Sequence, residues 1–388
     1  MRTQVGIIGA GPAGLMLAHL LHLRGISSVV LEIRSRDYIE HRLRAGVLEQ
    51  GAVDLLVESG VGERLQREGM VHEGVNLQFA GERHRVPMTE LTGRAITVYG
   101  QQEVVKDLVA ARLSAGEPIL FEVSDVRLHG LDVDEPVVAF RHEGRDVELR
   151  CDVVAGCDGF HGVSRSAVPE GVLTTYERTY PFAWLGILAA APPATNELVY
   201  CHSERGFALV SMRTPELSRL YLQVPPDENV AAWPDDRIWA ELQARLAMAD
   251  GWRLTEGEVL EKGVTAMRSL VVEPMQWRRL FLAGDAVHIV PPTGAKGMNL
   301  ALADVKVLGE ALAAWYADGR DDLLASYSDT CLRRVWRAQH FSWWMTSMLH
   351  RFPGHDPYEV KLQLSQLRYV TTSPAYARSL AENYVGIP

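Results

Sequence analysis

The chain has 388 residues, 47% of them hydrophobic and 23% charged, with a formal net charge of -10. Such a length suits two or three domains around a large core. The acidic balance argues against non-specific binding to nucleic acid or anionic membranes, whose affinity rests on cationic neutralisation of phosphates. The first apolar strand opens almost at Met1 and no uninterrupted apolar run reaches membrane-spanning length, so neither a signal peptide nor a membrane segment is expected, and a cytoplasmic location follows.

Residues 3–8, Thr-Gln-Val-Gly-Ile-Ile, read as a short buried strand, and Leu15 to Leu23 carry apolar residues at helical spacing. Between them lies Gly9-Ala-Gly-Pro-Ala-Gly14. Gly9 permits a tight turn, Gly11 lets a pyrophosphate approach the backbone, and Gly14 removes a Cβ where helix meets sheet, leaving the helix N-terminus to face phosphates. Pro12 fits the first helical turn, where no amide hydrogen is needed. A second strand, Ser28 to Leu31, delivers Glu32 near the spacing expected for a carboxylate on the adenosine ribose. Arg34, Arg36, Arg42 and Arg44 follow within eleven positions; such forks suit nicotinamide or flavin phosphates, and a solvated charged face shared with Asp37 and Glu40 is the alternative for Arg34 and Arg36.

Gly51 to Leu65 reads as a helical stretch, and Val75 to Asp152 as a charged, turn-rich strand region with a helix near Gln101 to Leu113. Asp152 to Asp158 returns to the first domain through a second signature, Gly156-Cys-Asp-Gly159. From about Tyr176 to Pro225, short β-branched and aromatic runs broken by Pro192-Pro193 and Arg205-Gly206 suggest an inserted antiparallel sheet facing the substrate. The strand Arg278 to Asp285 ends in Gly284-Asp285, whose carboxylate suits a ribityl hydroxyl, and Pro291 to Leu300 leads into a helix near Gly297 that would aim its positive end forward. The rest is mostly helical, including Asp321 to Phe352; its Phe341 to Met348 aromatic and methionine stripe reads as core or subunit interface.

A lone G-x-G-x-x-G serves NAD, NADP and FAD alike, but three signatures at strand ends describe a cradle for one large dinucleotide, read as FAD. The fold class is thus α/β: an FAD-binding Rossmann-like domain of the glutathione-reductase type, with an inserted antiparallel-sheet substrate domain and a helical C-terminal region. The divisions expected are FAD-binding parts at 1–75, 152–175 and 276–320, a mixed strand and helix segment at 76–151, a substrate-binding sheet at 176–275 and a helical, interface-forming region at 321–388. The four cysteines form no C-x-x-C pair, which weakens a flavin disulfide reductase, and the 13 histidines fall into no compact metal-binding array, so no metal is expected.

Several stretches carry a family resemblance nearly end to end: Arg44 to Gly51, Val71-His-Glu-Gly-Val75, Ala155 to Gly162, Leu282-Ala-Gly-Asp285, Pro291 to Leu300, Phe341 to Phe352 and Glu382-Asn-Tyr-Val-Gly386. On these the chain resembles the single-component FAD-dependent aromatic hydroxylases of the 4-hydroxybenzoate 3-monooxygenase family. The resemblance implies that Arg213 pairs with a substrate carboxylate, helped by Ser211 and Tyr221. It implies that Tyr200 contacts the substrate phenol, that Tyr384 and His72 continue a proton relay, and that the Pro292 carbonyl and Thr293 line the reacting side of the ring. Val47, Trp184, Leu198 and Leu209 match apolar pocket positions. Gly9, Gly11, Gly14, Glu32, Arg42, Arg44, Gln101, Asp158, Arg219, Asp285 and Asn299 are the cofactor candidates, Arg219 as an influence on flavin position. Arg34, Tyr38, His161, Arg165 and Arg268 are the nicotinamide candidates, with Arg44 shared.

The implied reaction converts 4-hydroxybenzoate or a close analogue to its 3-hydroxylated product, using NADPH or NADH, molecular oxygen and a flavin C4a-hydroperoxide. A phenolate pushes charge onto the ortho carbon, whereas a phenol, with a pKa of about 10, does not; lowering that value by two units takes about 2.7 kcal/mol of preferential anion stabilisation. Tyrosine hydroxyls both donate and accept, which suits Tyr200 and Tyr384 to the relay. A homodimer is implied by the resemblance. A flavin halogenase would want a W-x-W-x-I-P stretch that is absent here, and a non-catalytic flavin sensor would not need Tyr200, Ser211, Arg213 and Tyr384 together.

Overall fold

The computed structural model describes residues 1–42, 44 and 46–387. Val5–Ile8 and Ser28–Leu31 are buried at every position, as expected of strands covered on both faces. They pair in parallel, and Val153–Gly156 adds in parallel on the other side of Val5–Ile8. With Leu280–Leu282, Gln276–Trp277 and Ile119–Leu120 they complete a six-stranded sheet. Helices Pro12–His22, Gln101–Ser114 and Gly297–Asp318 pack around it. Chain segments more than 100 residues apart therefore place their glycine signatures along one sheet.

The second large sheet has eight strands, in the order His288–Ile289, Glu258–Glu273, Thr174–Ala190, Leu217–Val224, Ala208–Thr214, Val199–Cys201, Val75–Phe79, Glu82–Val86. Its antiparallel registers align Tyr200 with Leu209, Leu209 with Tyr221, and Tyr221 with Gly186. Directly opposed residues share a face, and so do residues two apart along a strand. One face therefore carries Trp184, Leu198, Tyr200, Leu209, Ser211, Arg219 and Tyr221. The opposite face carries Leu185, Ile187, Val199, Val210, Leu220 and Leu222, packed with Ile238, Trp239 and Leu242 of helix Asp235–Arg245. The first face packs on the C-terminal helices through Phe341, Met345, Met348, Leu380 and Tyr384.

Three local expectations differ from the structure. The helical stretch 51–65 is two helices, Gln50–Glu58 and Glu63–Glu68, separated where Gly60 takes φ +82°. Val75–Phe79 and Glu82–Val86, within a turn-rich region by composition, extend the substrate sheet because Val75–Phe79 pairs in parallel with Val199–Cys201. The run 321–352 is a short helix, Asp322–Ala325, and then Tyr327–Leu349.

Candidate active site

At Gly9 and Gly14 the dinucleotide cradle is built from backbone that tolerates no added bulk. Gly9 has φ +104°, and a Cβ on Gly14 would lie 1.9 Å from the Gly9 carbonyl oxygen. Gly11 forms the N-cap of helix Pro12–His22, no side chain caps that helix, and a Cβ on Gly11 would meet nothing within 4 Å. Uncapped amides beside open space fit a pyrophosphate. Glu32 is buried at the end of the next strand, its two oxygens accepting from the amides of Ala10 (2.7 Å) and Arg34 (2.8 Å). Helix Gly297–Asp318 likewise lacks a side-chain cap.

Asp285 reaches solvent, yet dense surrounding protein dominates its titration: burial pushes its carboxyl up, against the opposing pull of His288, Arg44 and Arg42. Arg44 has the same signature, pushed down by burial and by Arg42, with Asp285 and Tyr221 opposing. Its electrostatic link to both Asp285 and Tyr221 joins the cradle to the substrate sheet. These features fit FAD.

Other cofactor candidates hold the cradle together. Asp158 accepts from the amide and hydroxyl of Ser164, both at 2.9 Å, and its carboxyl is pushed up by burial despite these bonds. The Asn299 amide is fully engaged, accepting from Glu49 N and donating to the Val47 and Ala295 carbonyls. Gln101 begins its helix half-buried. Arg219 lies over the Tyr221 ring, 5.4 Å from the centroid, in space left by Gly186, where a Cβ would meet the guanidinium at 2.8 Å.

On the substrate face, Arg213 donates to the Met212 carbonyl (2.8 Å) and Ser211 Oγ (3.3 Å), with the Tyr221 hydroxyl at 3.5 Å. Among the described residues it has no carboxylate partner. Burial pushes its guanidinium down. Burial also works to raise the Tyr221 hydroxyl, but Arg213 and Arg219 outweigh it and hold it below the usual tyrosine range. The guanidinium is thus a partly buried cation whose protein partners are all neutral among the described residues, an arrangement suited to an anionic group.

Tyr200 and Tyr384 meet hydroxyl to hydroxyl at 2.5 Å, both buried. Desolvation pushes both up, so neither hydroxyl ionises readily, and each can both donate and accept. His72 is buried, held down to about 4 by desolvation, and its Nδ1 has no hydrogen-bond partner among the described residues. Thr293 is fully buried against Thr346, and the Pro292 carbonyl already accepts from Ala295 N (2.9 Å), which leaves one lone pair. Val47 borders this region on its short strand.

The nicotinamide candidates fall into two groups. Arg34 and Arg42 lie 5.2 and 5.6 Å from the Tyr38 ring centroid, while Arg36 pairs with Glu40. His161, Arg165 and Arg268 gather around Phe160, the two guanidiniums 5.1 and 4.7 Å from its centroid. Phe160 was no candidate by sequence, nor were two buried ionic clusters. Asp304 Oδ2 accepts from Gly284 N (3.0 Å) and pairs with His288 at 2.6 Å, which supports the Gly284-Asp285 turn. Glu49 pairs with Lys296 and Arg334, and Lys296 also donates to the Asn383 and Tyr384 carbonyls, pinning the helix that carries Tyr384. The nearest sequence signal was Lys296 inside the Pro291 to Leu300 stretch.

Residues 2–342 match the model of the FAD binding domain family. p-Hydroxybenzoate hydroxylase of Acinetobacter baylyi is 48% identical over 389 residues, a match covering 100% of this chain and 96% of that protein. The chain therefore belongs to the FAD-dependent aromatic hydroxylases, in the p-hydroxybenzoate hydroxylase family. A 3-(3-hydroxy-phenyl)propionate/3-hydroxycinnamic acid hydroxylase of Mycobacterium avium is 28% identical over 347 residues, covering 84% of this chain and 57% of its own length. In fold, the crystal structure of p-nitrophenol 4-monooxygenase from Pseudomonas putida matches with a TM-score of 0.84 at 18% identity, covering 100% of this chain and 99% of that one. Among the described residues no helix is long and apolar enough to cross a membrane.

Proposed function

We propose that this protein hydroxylates 4-hydroxybenzoate at the 3-position, with NADPH or NADH as reductant and molecular oxygen as co-substrate. The observation that carries this reading is the partly buried Arg213 guanidinium, beside Ser211 and Tyr221 and without a carboxylate partner among the described residues, on the same sheet as the buried Tyr200–Tyr384 hydroxyl pair. A benzoate carboxylate would satisfy the first through a charge-assisted fork, and a para hydroxyl would meet the second.

Bound FAD would take up two electrons from the nicotinamide and activate oxygen for transfer to the ring. The chain's own residues do the rest. Tyr200 accepts the phenol proton at its hydroxyl while passing its own to Tyr384, and His72 lies on the route outward. Trp184, Leu198, Leu209 and Val47 exclude water from the ring, and Thr293 with the Pro292 carbonyl bounds its reacting edge. Arg34, Tyr38 and Arg42 on one side, and His161, Arg165 and Arg268 around Phe160, are the cationic groups available to a transient nicotinamide's phosphates.

The assembly is a cytoplasmic homodimer in this reading. It is supported by Trp336, Trp343, Tyr358, Leu362 and Tyr369, large apolar side chains 40–69% exposed on the C-terminal helices; light scattering giving a monomer would remove that support. The function is tested by anaerobic and aerobic stopped-flow with 4-hydroxybenzoate, comparing NADPH with NADH. Substrate is expected to accelerate flavin reduction and to yield 3,4-dihydroxybenzoate. Absence of both effects sinks the assignment.

A further inference from the structure

Helix Tyr327–Leu349 ends against the substrate sheet, and Ser342, Thr346 and His350 follow at four-residue spacing along one side of it, all fully buried. At Ser342 the helix approaches the Pro291–Gly294 loop so closely that a Cβ on Gly294 would lie 2.5 Å from Ser342 Oγ. Thr346 Oγ1 is 2.7 Å from the Ser342 carbonyl and 2.9 Å from Thr293 Oγ1. A hydroxyl has one proton to give, so when Thr346 donates to Ser342 it accepts from Thr293.

His350 Nδ1 lies 3.0 Å from the Thr346 carbonyl, and Nε2 lies 2.7 Å from Trp184 Nε1. An indole N–H only donates and a carbonyl only accepts. Nε2 is therefore the bare nitrogen, and Nδ1 carries the proton. Burial holds this imidazole down to about 3, with His202 pushing the same way, so the form persists across the working pH range. The ring is stacked with Phe182 at 4.6 Å and Phe207 at 4.3 Å between centroids. The backbone here is clasped as well: Gln363 donates to the His350 carbonyl at 2.8 Å, and Gln223 donates to that of Arg351. From His350 the contacts run on to Trp184, from Trp184 to Tyr221 at 4.9 Å between centroids, and from the Tyr221 hydroxyl to Arg213.

We propose that His350 is a positioning residue for recognition of the aromatic acid: its bare Nε2 fixes the plane of Trp184 and, through Trp184, the orientation of Tyr221 and Arg213. The same helix face also holds Thr293 through Thr346, so one element contacts both Trp184 and the Pro291–Gly294 loop. Only the identity of the ligand rests on the function proposed above.

The test uses FAD-loaded protein. His350→Phe keeps the stacking surface but removes the acceptor, and is expected to raise both the Kd and the KM for 4-hydroxybenzoate about tenfold with kcat within about threefold of the parent. His350→Gln, whose side-chain oxygen can reach the Nε2 position, is expected to recover most of that loss. Trp184→Phe with His350→Phe should weaken binding by less than the product of the single effects, because no donor is then stranded. Parental Kd and KM in a folded His350→Phe protein would overturn the proposal. Nitrogen-15 spectra of histidine in the parent decide the matter even if that variant does not fold. A resonance pair with protonated Nδ1 and bare Nε2, unchanged from pH 6 to 9 and shifted at Nε2 by Trp184→Phe, is expected. Titration of that ring, or a proton on Nε2, refutes it. If the parent itself fails to bind 4-hydroxybenzoate, the proposed function fails, while the spectra still report on His350.

Discussion

The cradle and the substrate face solve opposite problems. In the cradle the groups left open are backbone amides at a helix N-terminus, and side chains hold that backbone: Glu32 to Ala10 and Arg34, Asp158 to Ser164, Asp304 to Gly284. On the substrate face, side chains at alternate positions of several strands converge, with the backbone committed to the sheet ladder. The cradle should therefore be sensitive to added volume and the substrate face to lost charge or hydroxyls.

The largest expected effect comes from volume in the cradle. Gly14→Ala would place a Cβ 1.9 Å from a backbone oxygen that has no rotamer to relieve it. FAD retention through gel filtration should be lost, and a variant that keeps stoichiometric flavin would show that the cradle accommodates the added methyl. Arg213→Ala is the counterpart. Removing the guanidinium leaves a bound carboxylate without its partner, and binding of 4-hydroxybenzoate should weaken at least about 100-fold, or roughly 3 kcal/mol, while flavin stays bound. Titration of the flavin absorbance with 4-hydroxybenzoate measures this, and parental affinity refutes the clamp.

Tyr200→Phe separates binding from chemistry within the substrate face. It leaves Arg213 in place, so Kd should change by less than about threefold, since only one hydroxyl contact to the neutral phenol is lost. It also disconnects Tyr384 from the phenol. Product formed per NAD(P)H consumed should fall at least about tenfold, with the missing reducing equivalents recovered as hydrogen peroxide. Coupling as tight as the parent's would show that the 2.5 Å hydroxyl pair is not the route of the proton.

The same division explains what was legible in the sequence. Backbone recognition needs glycines at fixed short offsets, so Gly9, Gly11, Gly14 and the strand-ending Glu32 and Asp285 stood out locally, and the βα order followed from them. Arg213 and Tyr200 are individually ordinary strand residues whose meaning comes from partners as near as 8 and as far as 184 positions away, and only family resemblance singled them out. Asp304 carried no local signal, and Glu49, Thr346 and His350 lie in stretches that carry the resemblance but imply no role for them. Their partners are His288, Lys296, Thr293 and Trp184, and nothing in the spacing of Trp184 and His350, 166 residues apart, announces a bond between them. The Gly51 to Leu65 misreading has a smaller cause: the apolar period runs through Gly60, but its left-handed backbone ends the first helix.

His72 lies on the small three-stranded sheet, with strand Ile96–Val98 between its own strand and the one that carries Val47, and yields the smallest expected effect. Its folded value is held to about 4, below the ordinary 6.5. Between those values the unfolded chain binds a proton that the native protein does not. Native stability is therefore fully present above about pH 6.5 and is lost as pH falls, by about 1.4 kcal/mol per unit for this one group until pH nears 4. His288 has the opposite sign: although burial acts against its charged form, Asp304 outweighs that and raises it, so its contribution is present at low pH and declines as pH rises through the folded value. Comparing His72→Gln with the parent cancels His288, because both proteins retain it. Between pH 7.5 and 5.5 the unfolding free energy of His72→Gln, from urea titrations, should fall about 1 kcal/mol less than the parent's. An equal fall would mean that His72 already exchanges protons freely with solvent in the native state, which would make it an open end of the relay and not a buried member waiting for a water or hydroxyl at Nδ1.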